Sequence, residues 1–171
     1  LVLAKKKNVV LLAYGDPYVA TTHLELRTRA EQEKIKTKTI HGASAITSLI
    51  GECGLHHYKV GRPVTIMREL PSLSTVYYTI YENMVKGSHS LLILEYDNSS
   101  NFFLDPKDAL TSLLKSENGE RRNVIDESTF AIVASRIGSK SQGIISGKLS
   151  TLLKTDFGKP PHTIIIPGRL H

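Results

Sequence analysis

Short apolar runs alternate with helix-length amphipathic segments along almost the whole chain. Residues 9–14 (VVLLAY) predict a buried strand, and residues 21–34 a helix. Thr22 opens that helix with Glu25 three positions on, the spacing of a capping box. Residues 36–42 (KTKTIHG) predict a second strand, 45–53 (AITSLIGEC) a short helix stopped at Gly54, and 63–67 (PVTIM) a third strand. Within 75–86, Val76, Ile80 and Met84 share one helical face, with Tyr77 and Tyr81 beside them. A strand follows at 91–96 (LLILEY), then a turn and a helix over 105–115 with Pro106 near its first turn. Residues 130–135 (FAIVAS) predict a strand, 145–154 (ISGKLSTLLK) a helix, and 162–168 (HTIIIPG) a last strand. The alternation predicts an α/β fold with largely parallel sheets. Periodicity lapses at 69–72 (ELPS), which holds a proline. A domain boundary is expected there, with 1–70 the remainder of a first α/β domain and 71–171 most of a second.

Composition narrows the picture modestly. With 171 residues, 40% of them hydrophobic, the chain can bury a real core. The formal charge is +6, but only Lys5-Lys6-Lys7 forms a basic run, with Arg121-Arg122 a lesser pair. That pattern suits a solvated surface, and direct nucleic-acid binding does not follow from it. A single cysteine, Cys53, leaves no internal disulfide and fits a packing residue in a reducing compartment. No run approaches the ~20 apolar residues of a membrane span, and no charged-then-apolar leader opens the chain. The expectation is a cytoplasmic protein. The chain opens on LVLAKKKN and stops soon after TIIIPG, so both ends look cut from a longer pattern.

Candidate chemistry begins at residues 15–23, GDPYVATTH, directly after the first apolar run. Gly15 tolerates backbone angles closed to other residues, and Pro17 fixes its own φ. The residues between a strand end and a helix start are where open α/β sheets bind ligands. Other constellations fall away. His56 and His57 are adjacent, so their side chains diverge, and no carboxylate or cysteine spacing completes a metal set. His23 shapes the entry to the helix. No nucleophile elbow and no phosphate-binding loop occurs. Tyr58, Lys59 and Arg62 suit substrate, interface or plain surface roles equally well.

Six ordered blocks carry a resemblance: GDPYVATTH at 15–23, IHGASAITS at 40–48, GLHHYKVGRPVTI at 54–66, GSHSLLILEYD at 87–97, ASRIGS at 134–139 and DFGKPPHTIIIPGRLH at 156–171. Together they resemble the diphthine synthase family of tetrapyrrole-methylase-like, S-adenosylmethionine-dependent methyltransferases. GDP after a strand belongs to the wider class, whereas TTH with the HGAS and YKVGR blocks is narrower. The family's glycine-rich first strand-to-turn motif lies outside this chain, as does the segment after GRLH.

The resemblance implies two α/β domains with the cofactor in the cleft between them, the first domain incomplete at its amino terminus. It implies transfer of methyl groups from S-adenosyl-L-methionine, leaving S-adenosyl-L-homocysteine. The implied acceptor is the amino group of an aminocarboxypropyl-modified histidine on elongation factor 2, a step in making diphthamide, and the resemblance implies a homodimer. Cofactor contacts are implied for Asp16 and Val19, for Ser44 and Ala45 at the next helix start, and for Leu94 at the end of LLILEY. Ser135 or its neighbour Ala134, and His162 in KPPH, complete the set. No catalytic base and no metal is implied. Two alternatives stand beside this: a methylase of the same class acting on a tetrapyrrole or ribosomal RNA, and a non-catalytic remnant of the fold.

Overall fold

The computed structural model describes residues 1–69 and 73–170. Most of the expected boundary segment, 70–72, lies outside the described residues. The chain divides into two compact units, Leu1–Ile50 and Gly51–His171. Among the described residues, no helix is long and apolar enough to cross a membrane.

The first unit holds helix α1 (His23–Gln32) and the start of α2 (Ala45–Glu52). Neither strand expected here forms. Residues 9–13 and 35–42 have no regular structure, and Val9, Val10, Leu11, Leu12, Tyr14 and Ile40 are largely exposed. Apolar, β-branched residues fit a pleated half-buried surface, but only a hydrogen-bonding neighbour turns them into a strand. Among the described residues of this unit no segment pairs with them. The capping box is also absent. Thr22 adopts φ −99° and ψ 7° and makes no side-chain cap bond, because it lies outside the extended region that aims an N-cap side chain at the first turn.

The second unit is built on a five-stranded sheet in the order β1-β2-β7-β5-β6. Its strands are β1 (Val64–Ile66), β2 (Ser90–Leu94), β5 (Phe130–Ser135), β6 (Gly143–Lys148) and β7 (His162–Ile166). The fold is α/β, but the sheet is not largely parallel. β1 and β2 run parallel, while β7 lies antiparallel to both β2 and β5, and β5 antiparallel to β6. The change arises at 143–148. Ile144 and Ile145 are β-branched and Gly147 disfavours a helix, so this segment pairs along β5 instead of extending a helix. Only Leu149–Leu152, α5, is helical.

Helix α3 (Leu73–Val85) and α4 (Pro106–Glu120) cover one face of the sheet. Asp105 caps α4 by accepting the Lys107 N–H at 2.8 Å, and Pro106 occupies the first turn, as the sequence suggests. In α3, Val76, Tyr77 and Ile80 are buried, but Met84 is 43% exposed and Asn83 is buried in its stead. The amide explains the exchange: Asn83 Nδ2 donates to the Arg62 carbonyl at 3.1 Å and to Ser90 Oγ at 3.2 Å, so burial leaves that group bonded. After β2 the chain makes a small hairpin, β3 (Tyr96–Asp97) with β4 (Phe102–Phe103), where Tyr96 stacks on Phe103 at 4.5 Å.

Candidate functional site

In the first unit, two loops meet before α1 and α2. Gly15 has φ +70°, and a Cβ there would lie 3.3 Å from the Ala43 carbonyl. A Cβ on Gly42 would lie 2.7 Å from the Gly15 carbonyl, so this approach requires glycine. Asp16, 9% exposed, uses both oxygens at the junction. Its Oδ1 accepts the Tyr18 N–H at 2.8 Å, and its Oδ2 lies 2.8 Å from His41 Nδ1. The Tyr18 N–H, then the His41 bond, hold the Asp16 carboxyl below the usual carboxylate range and outweigh burial. It is therefore an anion at neutral pH. Val19 is half-buried two residues past Pro17, and its N–H donates to the Asp16 carbonyl at 3.3 Å.

Ser44 is buried and caps α2, with its Oγ accepting the Ile46 N–H at 3.2 Å. Its carbonyl takes the Thr47 and Ser48 N–H groups, and Ala45 stands exposed in the first turn. The first unit thus brings the Asp16 loop against the Ser44 loop.

The second unit aligns its own candidates. Ser135 of β5 is the direct register partner of His162 in β7. The β2–β7 ladder pairs Ile93 with Thr163, so Leu94 stands next in register to His162. Leu94, His162 and Ser135 therefore form one row across three adjacent strands. Strand alternation puts Ser135 on the His162 side of the sheet and Ala134 on the other. Ser135 Oγ donates to the Phe157 carbonyl at 3.3 Å, and the Phe157 ring meets His162 edge-on at 6.4 Å.

His162 Nε2 is buried and makes no hydrogen bond. Burial pushes its pKa below the ordinary 6.5, against the opposing pull of the Phe157 backbone and the Asp105 charge. The imidazole is thus neutral at pH 7. The sign follows: a folded-state pKa below the unfolded one makes the unfolded chain bind more protons between the two values. Stability is expected to be full above about pH 6.5 and to decline as pH falls through the folded-state value. Thermal melts from pH 7 to 5 check this, and His162→Gln is expected to flatten that part of the profile. An unchanged slope in the variant would assign it to other groups.

Arg136 orders the approach to His162. Its N–H donates to the Pro161 carbonyl at 3.0 Å, its Nε to the Ser141 carbonyl at 2.9 Å, and its Nη1 to the Phe157 and Lys159 carbonyls. Sequence alone places Arg136 in a quoted block without a role. The same holds for His41, one residue into the IHGAS block, because its partner Asp16 is 25 positions away. No group of three metal-ligating side chains occurs among the described residues.

The chain belongs to the tetrapyrrole (corrin/porphyrin) methylases, whose family model matches residues 2–153. It is 38% identical over 98% of its length to the diphthine synthase of Methanocaldococcus jannaschii, and 37% identical to that of Methanothermobacter thermautotrophicus. It spans 66% and 64% of those two proteins, just under two thirds of each. A provisionally assigned diphthine synthase from Entamoeba histolytica superposes with a TM-score of 0.90 at 33% identity, over 99% of this chain and 69% of that one. A further diphthine synthase crystal structure gives a TM-score of 0.81 at 32% identity, over 98% of this chain and 62% of the other.

Proposed function

We propose that this chain forms part of a diphthine synthase, an S-adenosylmethionine-dependent N-methyltransferase of diphthamide biosynthesis. The observation that carries the reading is the 38% identity to the Methanocaldococcus enzyme along 98% of this chain. The proposed acceptor is the amino group of the aminocarboxypropyl-modified histidine of elongation factor 2. The enzyme acts as a cytoplasmic homodimer.

The residues fit the cofactor chemically. S-adenosylmethionine carries a cationic sulfonium, an ammonium group and hydroxyl donors. Asp16 is an anion whose two oxygens can accept beyond their present bonds. His162 Nε2 is a buried polar atom without a partner, a state that a bound polar ligand relieves. Asp16, Val19, Ser44, Ala45, Leu94, Ser135 and His162 are the proposed contacts. When bound, the cofactor supplies an electrophilic methyl group on sulfur. The chain's residues fix its orientation, and Leu94 excludes water beside it. In-line displacement leaves a neutral thioether and needs no acid for the leaving group. Holding the reactants at near-attack distance accounts for much of the rate.

The test uses methyl-labelled S-adenosylmethionine with elongation factor 2 carrying the aminocarboxypropyl-histidine. Label on the factor, absent when that histidine is unmodified, supports the reading. Cofactor binding without label transfer overturns the acceptor and directs the search to tetrapyrroles or ribosomal RNA. Absence of cofactor binding makes the chain a non-catalytic member of its class.

A further inference from the structure

Transfer to an amine has a proton problem that positioning does not solve. An alkylamine is mostly ammonium at neutral pH, and its lone pair is then unavailable. Each N-methylation of a primary or secondary amine also leaves a new N–H⁺ to be discharged. A group that accepts a proton at neutral pH and passes it to water meets both needs.

The first unit holds an exposed imidazole whose orientation is fixed. His41 Nδ1 lies 2.8 Å from Asp16 Oδ2, and the Asp16 side chain is 11% exposed while that of His41 is 68% exposed. Asp16 is ionised, and an ionised carboxylate only accepts hydrogen bonds, so Nδ1 must be the N–H donor. The neutral ring then carries its lone pair on Nε2. The buried carboxylate fixes this tautomer and the orientation of the ring. The backbone holds the pair from both sides. Asp16 Oδ1 is tied to the Tyr18 N–H, and the glycine approach at 15 and 42 pins the two loops. The Tyr18 ring meets the His41 ring edge-on at 5.9 Å, and its hydroxyl is engaged by Thr39 Oγ1 at 2.7 Å. Arg27, over the other ring of that pair, sits 5.9 Å from the Tyr18 centroid. Asp16 and Tyr18 are thus ionisable groups in contact with the imidazole, and Arg27 lies against Tyr18 in turn.

The other histidines near candidate residues lack this arrangement. His162 buries its Nε2, and His23 sets its Nδ1 3.1 Å from the Pro17 carbonyl, which carries no charge. Asp16 itself is shielded and too weak a base.

We propose that His41, oriented by the Asp16 carboxylate, is the general base that takes the proton from the acceptor amine. The proposal rests on the methyltransferase reading. His41 Nε2 accepts a proton from the acceptor ammonium. The freed nitrogen lone pair forms the N–CH₃ bond while the C–S bond breaks and its electron pair stays on sulfur. The exposed imidazolium returns its proton to water. Where a further transfer follows, the methylated ammonium gives up its proton by the same route.

The experiment compares His41→Asn with wild type. Asparagine keeps an N–H donor toward Asp16 but offers no base. Three quantities are measured: S-adenosylhomocysteine affinity, the single-turnover methyl-transfer rate from pH 6 to 10, and the ¹⁵N shifts of the wild-type histidines. The expected variant binds S-adenosylhomocysteine within twofold of wild type and transfers methyl about 100-fold more slowly at pH 7. That deficit closes toward pH 10, where the amine loses its proton unaided. Wild-type His41 should show the Nδ1–H tautomer. A rate within threefold of wild type at every pH overturns the proposal, as does the Nε2–H tautomer, which is read without any variant. Loss of S-adenosylhomocysteine binding along with the rate also overturns it and assigns His41 to holding Asp16. Failure of the wild-type protein to transfer label while binding S-adenosylhomocysteine would instead overturn the acceptor, and failure to bind it would sink the methyltransferase reading, both separate results.

Discussion

Asp16→Asn is expected to weaken S-adenosylmethionine binding by roughly ten- to a hundredfold, the scale of losing a charge-assisted hydrogen bond. The loss should be smaller for S-adenosylhomocysteine, which has no sulfonium charge for the carboxylate to face. Asparagine is the informative replacement because its Oδ1 can still accept the Tyr18 N–H that now ties down the loop at 2.8 Å. The helices on either side are held by their own backbone bonds, so the far-UV spectrum should not change. Titration calorimetry with both ligands reads the difference directly. Equal weakening of both would place the carboxylate on the amino acid or ribose part of the cofactor. Unchanged affinity for both, on a folded variant, would count against a cofactor role and leave Asp16 as the partner of His41. Because its carboxyl is held below the usual range, this contribution should be constant across neutral pH.

The second unit was largely legible in the sequence because its signals are local. FAIVAS became β5 at the expected residues, and PVTIM and HTIIIPG became β1 and β7. Asp105-Pro106 marked the start of α4 through capping and a fixed φ, both properties of adjacent residues. Strand direction was not legible. The ladder that sets β7 antiparallel between β2 and β5 depends on residues more than 25 positions apart. ISGKL misled because Leu149 and Leu152 continue a helical spacing, while Ile144 and Ile145 answer to the neighbouring β5 strand. VVLLAY misled in the opposite sense. Its residues have strand character, but hydrogen-bonding partners decide whether a strand exists, and none is present within its unit.

The candidate site divides along the same line. Gly15 and Asp16 announce a turn by residue type alone, and Ser44 announces a helix cap, which it forms. The Asp16–His41 pair could not be read, since no sequence spacing encodes a contact made by two converging loops. The row of Leu94, His162 and Ser135 shows an intermediate case. Each sits at a recognisable strand end, yet their alignment depends on the register of three strands. Ser135 rather than Ala134 faces His162 for a simple reason: successive side chains on a strand point to opposite faces.

The largest stability effect is expected at Glu117, which lies two residues past the helix expected over 105–115 and within α4 as it forms. Its carboxylate accepts the Tyr77 hydroxyl at 2.8 Å and the N–H groups of Asn123, Val124 and Ile125 at 2.8, 2.9 and 3.1 Å. These bonds tie α4 to α3 and fold the chain after α4, where Arg121 turns left-handed at φ 53°. Tyr77, Val124 and Ile125 are all buried, so removing the acceptor strands donors that water reaches poorly. Glu117→Ala should cost about 3 kcal/mol, which for a chain of this size lowers Tm by roughly 6–12 °C. Glu117→Gln, which keeps one acceptor oxygen but no charge, should cost about half as much. The pH dependence separates charge from shape. Burial alone would raise the Glu117 carboxyl, but the Tyr77 hydroxyl and the three N–H groups outweigh it and hold it below the ordinary 4.5. A depressed folded-state pKa contributes stability that is full above that ordinary value and is lost as pH falls through the folded-state value. Wild type should therefore lose stability in this acid range more steeply than Glu117→Gln, and the two melting curves should converge. If the gap instead stayed constant down to the lowest pH measured, the cost would be one of packing, and the carboxylate would not be what ties α4 to α3 and closes the turn after α4.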